Sequence, residues 1–132
     1  MAVKNPYIWG LGRRKTASAR VRIKAGTGKF LVNGLEFEKF FLTHDTRRAA
    51  AMPLTVTDTR NNYDIWCNVI GGGVTGQAGA VSLGIARALC IENENFEKTL
   101  RENSLLTRDS REVERKKYGR HKARRSTQFS KR

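Results

Sequence analysis

The last eighteen residues, Arg115 to Arg132, place the strongest constraint on what this chain can fold into. They read RKKYGRHKARRSTQFSKR and contain nine Lys or Arg and no Asp or Glu. Such a segment has too little aliphatic surface to offset the conformational entropy that it would lose on folding. We therefore expect an extended basic C-terminal tail that orders only against a strongly anionic partner. A nucleic-acid backbone is the partner that this charge favours.

Charge is segregated along the rest of the chain. The net charge of the 132 residues is +14, with eight basic and no acidic residues in 1–35, and nine basic and twelve acidic residues in 36–114. A surface designed only for solubility would mix the two signs. The chain is long enough for one modest domain and a tail. We predict a globular α/β RNA-binding body at residues 1–107, and at 108–132 a short helix that leads into the extended tail.

Several classes of function are disfavoured by what the sequence lacks. No stretch approaches the roughly 20 apolar residues of a membrane span, and the first residues contain no apolar signal core. We expect a cytoplasmic protein without membrane contact. Cys67 and Cys90 lie in apolar patterns without ligands at metal-binding spacing, which predicts free thiols. The scattered acids and histidines form no catalytic pair, so we expect no enzyme, cofactor, metal ion or small-molecule substrate.

The segment Arg20-Val21-Arg22-Ile23-Lys24 alternates with the period of a β-strand. Val21 and Ile23 point toward a core, and the three cations point to the other face. A basic cluster precedes this strand, in a stretch that contains no acid up to residue 35. We interpret both sets as phosphate contacts, against the alternative of a solvated turn. The predicted contacts of this region are Arg13, Arg14, Lys15, Arg20, Arg22 and Lys24.

The remaining periodicity predicts a mixed α/β (α+β) single domain with its sheet packed against helices. Further strands are expected at 29–32, before the Asn33-Gly34 turn, and at 63–70, whereas an apolar run that begins at Tyr7 is broken by Gly10 and Gly12. Within 63–70, Tyr63, Ile65, Cys67 and Val69 share one face. Five helices are predicted. The first is a short one at 35–41, and the second is capped by Thr43 and ended by Pro53. The third follows Gly73 and has an apolar stripe of Val74, Ala78, Val81, Ile85, Ala88 and Leu89. The fourth, at 96–102, is capped by Asn95, and the fifth is capped by Asp109 with Glu112 at its third position.

A glycine loop lies between the strand at 63–70 and the helix that follows. Gly71, Gly73 and Gly76 fit the G-x-G-x-x-G spacing of dinucleotide sites, but no later strand completes a βαβ unit. The loop could instead bring backbone N–H groups close to an RNA phosphate, or could serve only tight packing of strand and helix. Gly76, Gly79 and Gly84 within the helix suggest close approach of another backbone or a ligand. The candidate RNA contacts of this region are Gly72, Gly73 and Gln77.

Three regions of the sequence, in order, resemble the signatures of one family. They are GRRKTASARV at 12–21, GGGVTGQAGA at 71–80 with GIARAL at 84–89, and LTRD at 106–109 with ERKKYG at 114–119 and QFSKR at 128–132. The family is the ninth protein of the small ribosomal subunit, in its bacterial form. The resemblance spans nearly the whole chain and leaves open a bacterial or an organellar source.

This resemblance implies an α/β sandwich with a left-handed βαβ crossover, bound to ribosomal RNA (rRNA) in the head of the small subunit beside other head proteins. It also implies that the tail passes through rRNA to the decoding region, where Lys131 and Arg132 reach the anticodon stem-loop of the P-site tRNA. The tail residues expected on rRNA are Arg115, Lys116, Lys117, Tyr118, Arg120, Lys122, Arg124 and Arg125. Tyr118 could stack on an unpaired base.

Two other classes of function are weighed against this one. The first is a non-specific, histone-like DNA-binding protein, which would bind duplex DNA as tightly as folded RNA. The second is a nucleotide-dependent enzyme built on the glycine loop, which would bind a dinucleotide in a Gly73-dependent manner. The long charge-balanced centre of the chain and its single tail favour the ribosomal interpretation.

Overall fold

The computed structural model describes residues 7–126 and residue 128, and these form a five-stranded mixed sheet with helices. The mixed α/β (α+β) single domain predicted from the sequence is confirmed. The strands are β1 (Ile8–Arg14), β2 (Ala17–Ala25), β3 (Phe30–Val32), β4 (Leu35–Glu36) and β5 (Tyr63–Ile70). The helices are α1 (Phe37–Phe40), α2 (His44–Thr57), α3 (Val74–Glu92) and α4 (Asn95–Glu102).

The strands are ordered β1-β2-β5-β3-β4 across the sheet. Only β3 and β5 pair in parallel among these neighbours, and the chain between them passes through β4, α1 and α2. This crossover is the expected βαβ unit, while its left-handed sense stays a prediction. Asn33 and Gly34 both have positive φ (51° and 82°) in the β3–β4 hairpin, as a two-residue type I′ turn requires.

The core lies between one face of the sheet and the helices. Alternate residues of β2 and β5 are buried, and α3 packs across β1 and β2 with α2 beside it. This confirms the predicted inward face of β5, where Ile65, Cys67 and Val69 are buried. The intervening residues of β1, β2 and β5 point away from the helices.

The sequence suggested that Gly10 and Gly12 break the first strand. They do not break it, but instead let α3 pack against it. A Cβ atom at Gly12 would overlap the carbonyl oxygen of Ala80, and one at Gly10 would overlap that of Gly84. The strand continues through both glycines. A larger residue at either position would hold α3 away from the strand. Gly84 faces the same strands, because its Cβ would lie 3.3 Å from the backbone nitrogen of Gly12 and 2.6 Å from Val21 Cγ2. The close backbone approach inferred from the glycines is confirmed at this position.

Helix α3 is buried on more sides than a single stripe would require. Of the predicted stripe only Val74 is exposed, at 51%, and buried residues such as Ala80, Leu83 and Ala86 lie outside it. By length and composition this helix could cross a membrane, which corrects the expectation that no segment approaches that size. Most of it is buried between the sheet and α2, so its apolar composition is that of a core helix.

Helix α2 begins as predicted but extends beyond its predicted end. The Thr43 hydroxyl accepts a hydrogen bond from Thr46 N at 3.4 Å, so the N-cap is confirmed. Pro53 lies inside the helix, which continues to Thr57 and ends at Asp58 in the left-handed conformation (φ 54°). Pro53 and Leu54 are both buried in the core, and this packing compensates for the backbone hydrogen bond that a proline removes.

The C-terminal elements differ from the prediction in two ways. Asn95 is the first residue of α4 rather than its cap, and its N–H donates to Asn93 Oδ1 at 3.0 Å. The helix expected after Asp109 is absent from the described residues, so that prediction is wrong. The Asp109 carboxylate instead accepts hydrogen bonds from the Arg111 side chain at 2.7–3.1 Å and from its backbone N–H at 3.0 Å. This contact occupies the capping group and holds the pKa of Asp109 well below its usual range.

Candidate nucleic-acid interface

The outward side chains of β1, β2 and β5 form one continuous surface, which we call the outer sheet face. Strand register places Trp9 beside Arg22, which in turn lies beside Trp66. In the next row Leu11 lies beside Arg20, which lies beside Asn68. The face comprises Trp9, Leu11, Arg13, Ser18, Arg20, Arg22, Lys24, Asp64, Trp66, Asn68 and Ile70. The predicted cationic strand face is thus present, with aromatic rings between its cations.

Arg22 is surrounded by three aromatic rings. Its guanidinium carbon lies 5.0 Å from the ring centre of Tyr7, 5.5 Å from that of Trp66 and 6.0 Å from that of Trp9. The rings of Tyr7 and Trp66 also meet edge to face at 5.5 Å. Cation–π attraction holds the planar guanidinium among these rings. Within the described residues no acid pairs with Arg22, so its N–H donors are not used by a carboxylate.

Asp64 is the only acid in the three strands of the outer sheet face. Its Oδ1 accepts hydrogen bonds from the backbone N–H groups of Thr27, Gly28 and Lys29 at 3.0–3.2 Å. These bonds, that of Lys29 first, lower the pKa of Asp64. The carboxylate therefore fixes the β2–β3 loop and is not paired with the neighbouring arginines.

The basic cluster that precedes β2 divides into exposed and partly buried members. Arg13 and Lys15 are exposed at the β1–β2 turn. Arg14 instead packs over Gly79, and its Nε is buried without a hydrogen-bond partner among the described residues. It lines a cavity of about 320 Å³ next to Asp109. Arg14 thus lies where the body meets the chain that leads to the tail.

The three loop glycines have different structural requirements. Gly71 and Gly72 have positive φ (75° and 66°), and their Cβ atoms would lie 2.5 Å from Thr16 O and 3.0 Å from Ala17 N. Gly73 is the N-cap of α3 with an ordinary φ of −100°, and a Cβ there would meet nothing within 4 Å. Tight packing therefore explains the first two glycines and leaves the third unexplained. No strand follows α3 in the described chain, so the dinucleotide context is incomplete.

The loop also lies beside the β1–β2 turn, because Gly71 and Gly72 contact Thr16 and Ala17. Gln77 Nε2 donates to Gly71 O at 3.2 Å and braces the loop from the first turn of α3. The structure thus brings two predicted sites together, the turn with Arg13 and Lys15 and the loop with Gly72, Gly73 and Gln77. Both lie at the end of the sheet where β2 begins, and the cations of β2 follow along that strand.

The described part of the tail is exposed and has no regular secondary structure. Seven of its predicted contacts are exposed and Lys117 is partly buried; the exposed ones are Arg115, Lys116, Tyr118, Arg120, Lys122, Arg124 and Arg125. Gly119 (φ 74°) lies in a turn closed by a hydrogen bond from Arg120 N to Lys117 O at 3.3 Å, and His121 N donates to Arg125 O at 2.8 Å just after it. Lys131 and Arg132, the predicted tRNA contacts, lie outside the described residues.

Sequence reasoning missed two features of this surface. Tyr7, Trp9 and Trp66 were not singled out, although the inward parity of Ile65 and Cys67 required Trp66 to point outward. Glu114, just before the tail, was also missed. Its carboxylate pairs with Lys117 and accepts from Arg124 Nε at 2.9 Å.

Neither cysteine forms a disulfide, as predicted. Cys67 is buried, and burial raises the pKa of its thiol. In the described residues no three side chains among His, Cys, Asp and Glu are grouped so that they could hold a metal ion.

Fold and surface together define a basic α/β domain whose cationic sheet face and tail suit a polynucleotide partner. A family model described as Ribosomal protein S9/S16 matches residues 12–132, and the chain belongs to that family. It is 52% identical to small ribosomal subunit protein uS9 of Malacoplasma penetrans, over 98% of this chain and all of that protein. It is 53% and 55% identical to the uS9 proteins of Cytophaga hutchinsonii and Chlorobaculum tepidum, over 92% of this chain and 95% of each relative.

Proposed function

We infer that this protein is a structural constituent of the small ribosomal subunit, acts in the cytoplasm, and binds the rRNA of that subunit. Family membership and the three relatives support this inference and favour a structural role over an enzymatic one. The observation that carries the rRNA contact is the outer sheet face, where Arg20, Arg22 and Lys24 lie on one strand without a free acid beside them. Phosphate contacts of this kind position a protein on RNA without reading its sequence.

The proposed rRNA contacts fall into three groups that could act together. The first is the outer sheet face with the β1–β2 turn, the second is the glycine loop at the start of α3, and the third is the tail. The residues proposed are Arg13, Arg14, Lys15, Arg20, Arg22, Lys24, Gly72, Gly73, Gln77, Arg115, Lys116, Lys117, Tyr118, Arg120, Lys122, Arg124 and Arg125. Other proteins of the subunit head are proposed as neighbours.

Co-sedimentation is the first test of this function. A tagged protein should migrate with small subunits and whole ribosomes in a magnesium-containing gradient and should resist a moderate salt wash. Migration as a free protein would contradict the ribosomal role. Migration with chromosomal DNA would favour the histone-like alternative, which also predicts equal affinity for duplex DNA and folded RNA at fixed salt.

A charge-matched comparison tests the outer sheet face. Changing Arg13 and Arg20 together to Gln should weaken binding to small-subunit rRNA, and should lower the slope of log K against log salt by about 0.7–0.9 for each phosphate that the variant no longer neutralises. The matched control, Arg48→Gln with Lys98→Gln, removes two exposed charges from α2 and α4, on the helical side of the sheet, and should change the slope less. Equal effects of the two sites would mean that the charge acts only through the net field of the protein.

The glycine loop can be tested at Gly73, because its Cβ position is open. Asp and Asn are both good N-cap residues, so Gly73→Asp and Gly73→Asn should each preserve or raise the stability of α3. If a phosphate lies at this helix terminus, Asp should weaken rRNA binding much more than Asn. Equal affinities of the two variants would place the phosphate elsewhere. Loss of a tightly bound dinucleotide in both variants would revive the enzyme alternative.

We also propose that Lys131 and Arg132 contact the anticodon stem-loop of the P-site tRNA. This rests on the resemblance of the closing QFSKR and on reach, because a chain from Tyr118 to Arg132 can span on the order of 50 Å when extended. Deleting residues 130–132 should leave folding and rRNA binding unchanged and weaken tRNA binding to the P site of reconstituted subunits. Unchanged tRNA affinity would contradict the proposal.

A further inference from the structure

We propose that the outer sheet face binds an unpaired segment of RNA, with Trp9 stacking on one base and Arg22 donating hydrogen bonds to the adjoining phosphate or base edge. This inference rests on the proposed rRNA binding and makes it more specific. It assigns to the face a substrate class, single-stranded nucleotides, that cation contacts alone would not select. It also gives a role to aromatic side chains that phosphate binding does not use.

Trp9 is the exposed member of the aromatic group. Its side chain is 47% exposed on β1, which is an edge strand of the sheet. Trp66, in contrast, is partly buried and has both Arg22 at 5.5 Å and Lys29 at 6.0 Å from its ring centre. An exposed indole ring leaves a large apolar surface in contact with water, and burying that surface would be favourable. A base stacked on the free surface of Trp9 would recover that burial.

Arg22 is positioned for recognition before any ligand arrives. The three surrounding rings restrict its long side chain, so binding would lose less rotamer entropy than it would at a free surface arginine. Its register partner on β1 is Trp9, so a base on the indole places its phosphate or polar edge near the guanidinium. Arginine hydrogen-bonds both phosphates and guanine edges in a planar, two-pronged geometry.

The charges and rings together favour unpaired RNA over the other classes of partner. Arg20 and Lys24 flank Arg22 on the same strand, while the neighbouring Asp64 is engaged by backbone N–H groups. An acidic protein segment would satisfy these cations but would leave the indole uncovered. An intact duplex would satisfy them too, but the flat faces of its bases are stacked inside the helix. Only an unpaired strand supplies both negative charge and an accessible base.

Fluorescence of the full-length Trp66→Phe variant tests the proposal, because Trp9 is then the sole tryptophan. A six-residue adenylate RNA should quench this fluorescence with a saturable isotherm. A paired RNA duplex, inorganic polyphosphate and polyglutamate of matched charge should bind the basic chain without comparable quenching. Equal quenching by polyphosphate or polyglutamate would overturn base stacking, and quenching by polyglutamate alone would identify an acidic protein as the partner.

Three substitutions at two positions separate the ring from the charge. Trp9→Leu should lower affinity for the adenylate by about tenfold, the loss expected for one stacked base, whereas Trp9→Phe should retain most of it. Arg22→Lys keeps the charge but removes the planar donors. It should therefore lower the affinity for the adenylate RNA several-fold, with little change in the salt slope. Unfolding midpoints of all three variants should match the parent. An effect on stability alone would assign these residues to the fold.

The outcomes distinguish this inference from the function on which it rests. If Trp9→Leu binds both adenylate and rRNA normally while the Arg13 and Arg20 double variant still loses rRNA affinity, rRNA binding stands and base stacking is wrong. If neither set of variants changes rRNA affinity, the outer sheet face is not the rRNA site, and both proposals fail for this surface.

Discussion

The outer sheet face and the C-terminal tail (residues 115–132) are both strongly cationic, but the protein holds their charges in different ways. On the sheet, strand register fixes the spacing of Arg20 and Arg22, and aromatic rings hold the Arg22 guanidinium in place. In the described tail, cations from Arg115 to Arg125 are almost all exposed, and Glu114 is the acid that pairs with two of them.

This difference determines when each region loses conformational entropy. The sheet residues are ordered when the body folds, so binding at the outer sheet face loses little further freedom. The described part of the tail is mostly exposed and packs into no apolar core, so we expect its partner to order it and part of the electrostatic gain to be lost to that ordering. We therefore expect the sheet face to contribute geometry and the tail to contribute charge and reach.

Removing the tail should have the largest effect on rRNA affinity and almost none on folding. Deletion of residues 115–132 takes away nine cations. If all of them contact phosphates, the salt slope should fall by about 6–8, with at least a hundredfold loss of affinity at physiological salt. Denaturant unfolding should give an unchanged midpoint. A clear drop in body stability would show that the tail belongs to the core and would remove the contrast between the two regions.

Gly12→Ala should be the most damaging single change in the body. The new Cβ would overlap Ala80 O, so α3 must move away from β1 or the strand must distort. We expect a loss of about 3 kcal/mol in the free energy of unfolding, as for severe overpacking, measured by urea denaturation. The matched control is Gly73→Asn, at a glycine with open space and a favourable N-cap position, which should lose nothing. Similar losses at both sites would mean that the interface between α3 and β1 is not tightly packed.

Acid pH offers a smaller, graded test of the body. Hydrogen bonds from three backbone N–H groups lower the pKa of Asp64 below its ordinary 3.8. The ionised Asp64 carboxylate therefore stabilises the fold fully at pH values above its ordinary pKa. This contribution is lost as the pH falls through the lowered pKa of the folded protein. Asp64→Asn should be less stable than the parent at neutral pH, with a difference that narrows in acid. A difference independent of pH would show that the carboxylate charge is not responsible.

The order of elements could be read from the sequence because period and turn residues agree locally. The alternation at Arg20–Lys24 and at Tyr63–Ile70, the Asn33-Gly34 turn and the Thr43 cap each depend on neighbours within a few residues, and the structure confirms all four. The errors at Pro53, Gly10 and Gly12 arose where distant packing decides the outcome, whereas those at Asn95 and Asp109 arose from local side-chain contacts. Pro53 stays helical because it is buried, and Gly10 and Gly12 stay in a strand because α3 lies against them.

The candidate site was predictable in its charges but not in its arrangement. Counting cations identifies Arg22, but only strand pairing shows that Trp9 and Trp66 flank it from separate strands. Sequence spacing also could not show that packing requires glycine at positions 71 and 72 but not at Gly73. The contacts of Gly71 and Gly72 with Thr16 and Ala17 require the β1–β2 turn, which lies more than fifty residues earlier in the chain.

Glu114→Gln should have the smallest effect and acts on the tail alone. It removes the carboxylate that pairs with Lys117 and Arg124, so both cations become free for phosphates and the net charge rises by one. Exposed ion pairs contribute little to stability, so unfolding of the body should not change. Affinity for rRNA should rise by about two- to fivefold at low salt, and the gain should fade as salt screens the charge. Glu102→Gln, an exposed acid at the end of α4, raises the net charge equally and should give a smaller gain. If affinity falls instead, the turn held by Glu114 is part of the bound form of the tail, and the tail is preorganised in the same sense as the sheet face.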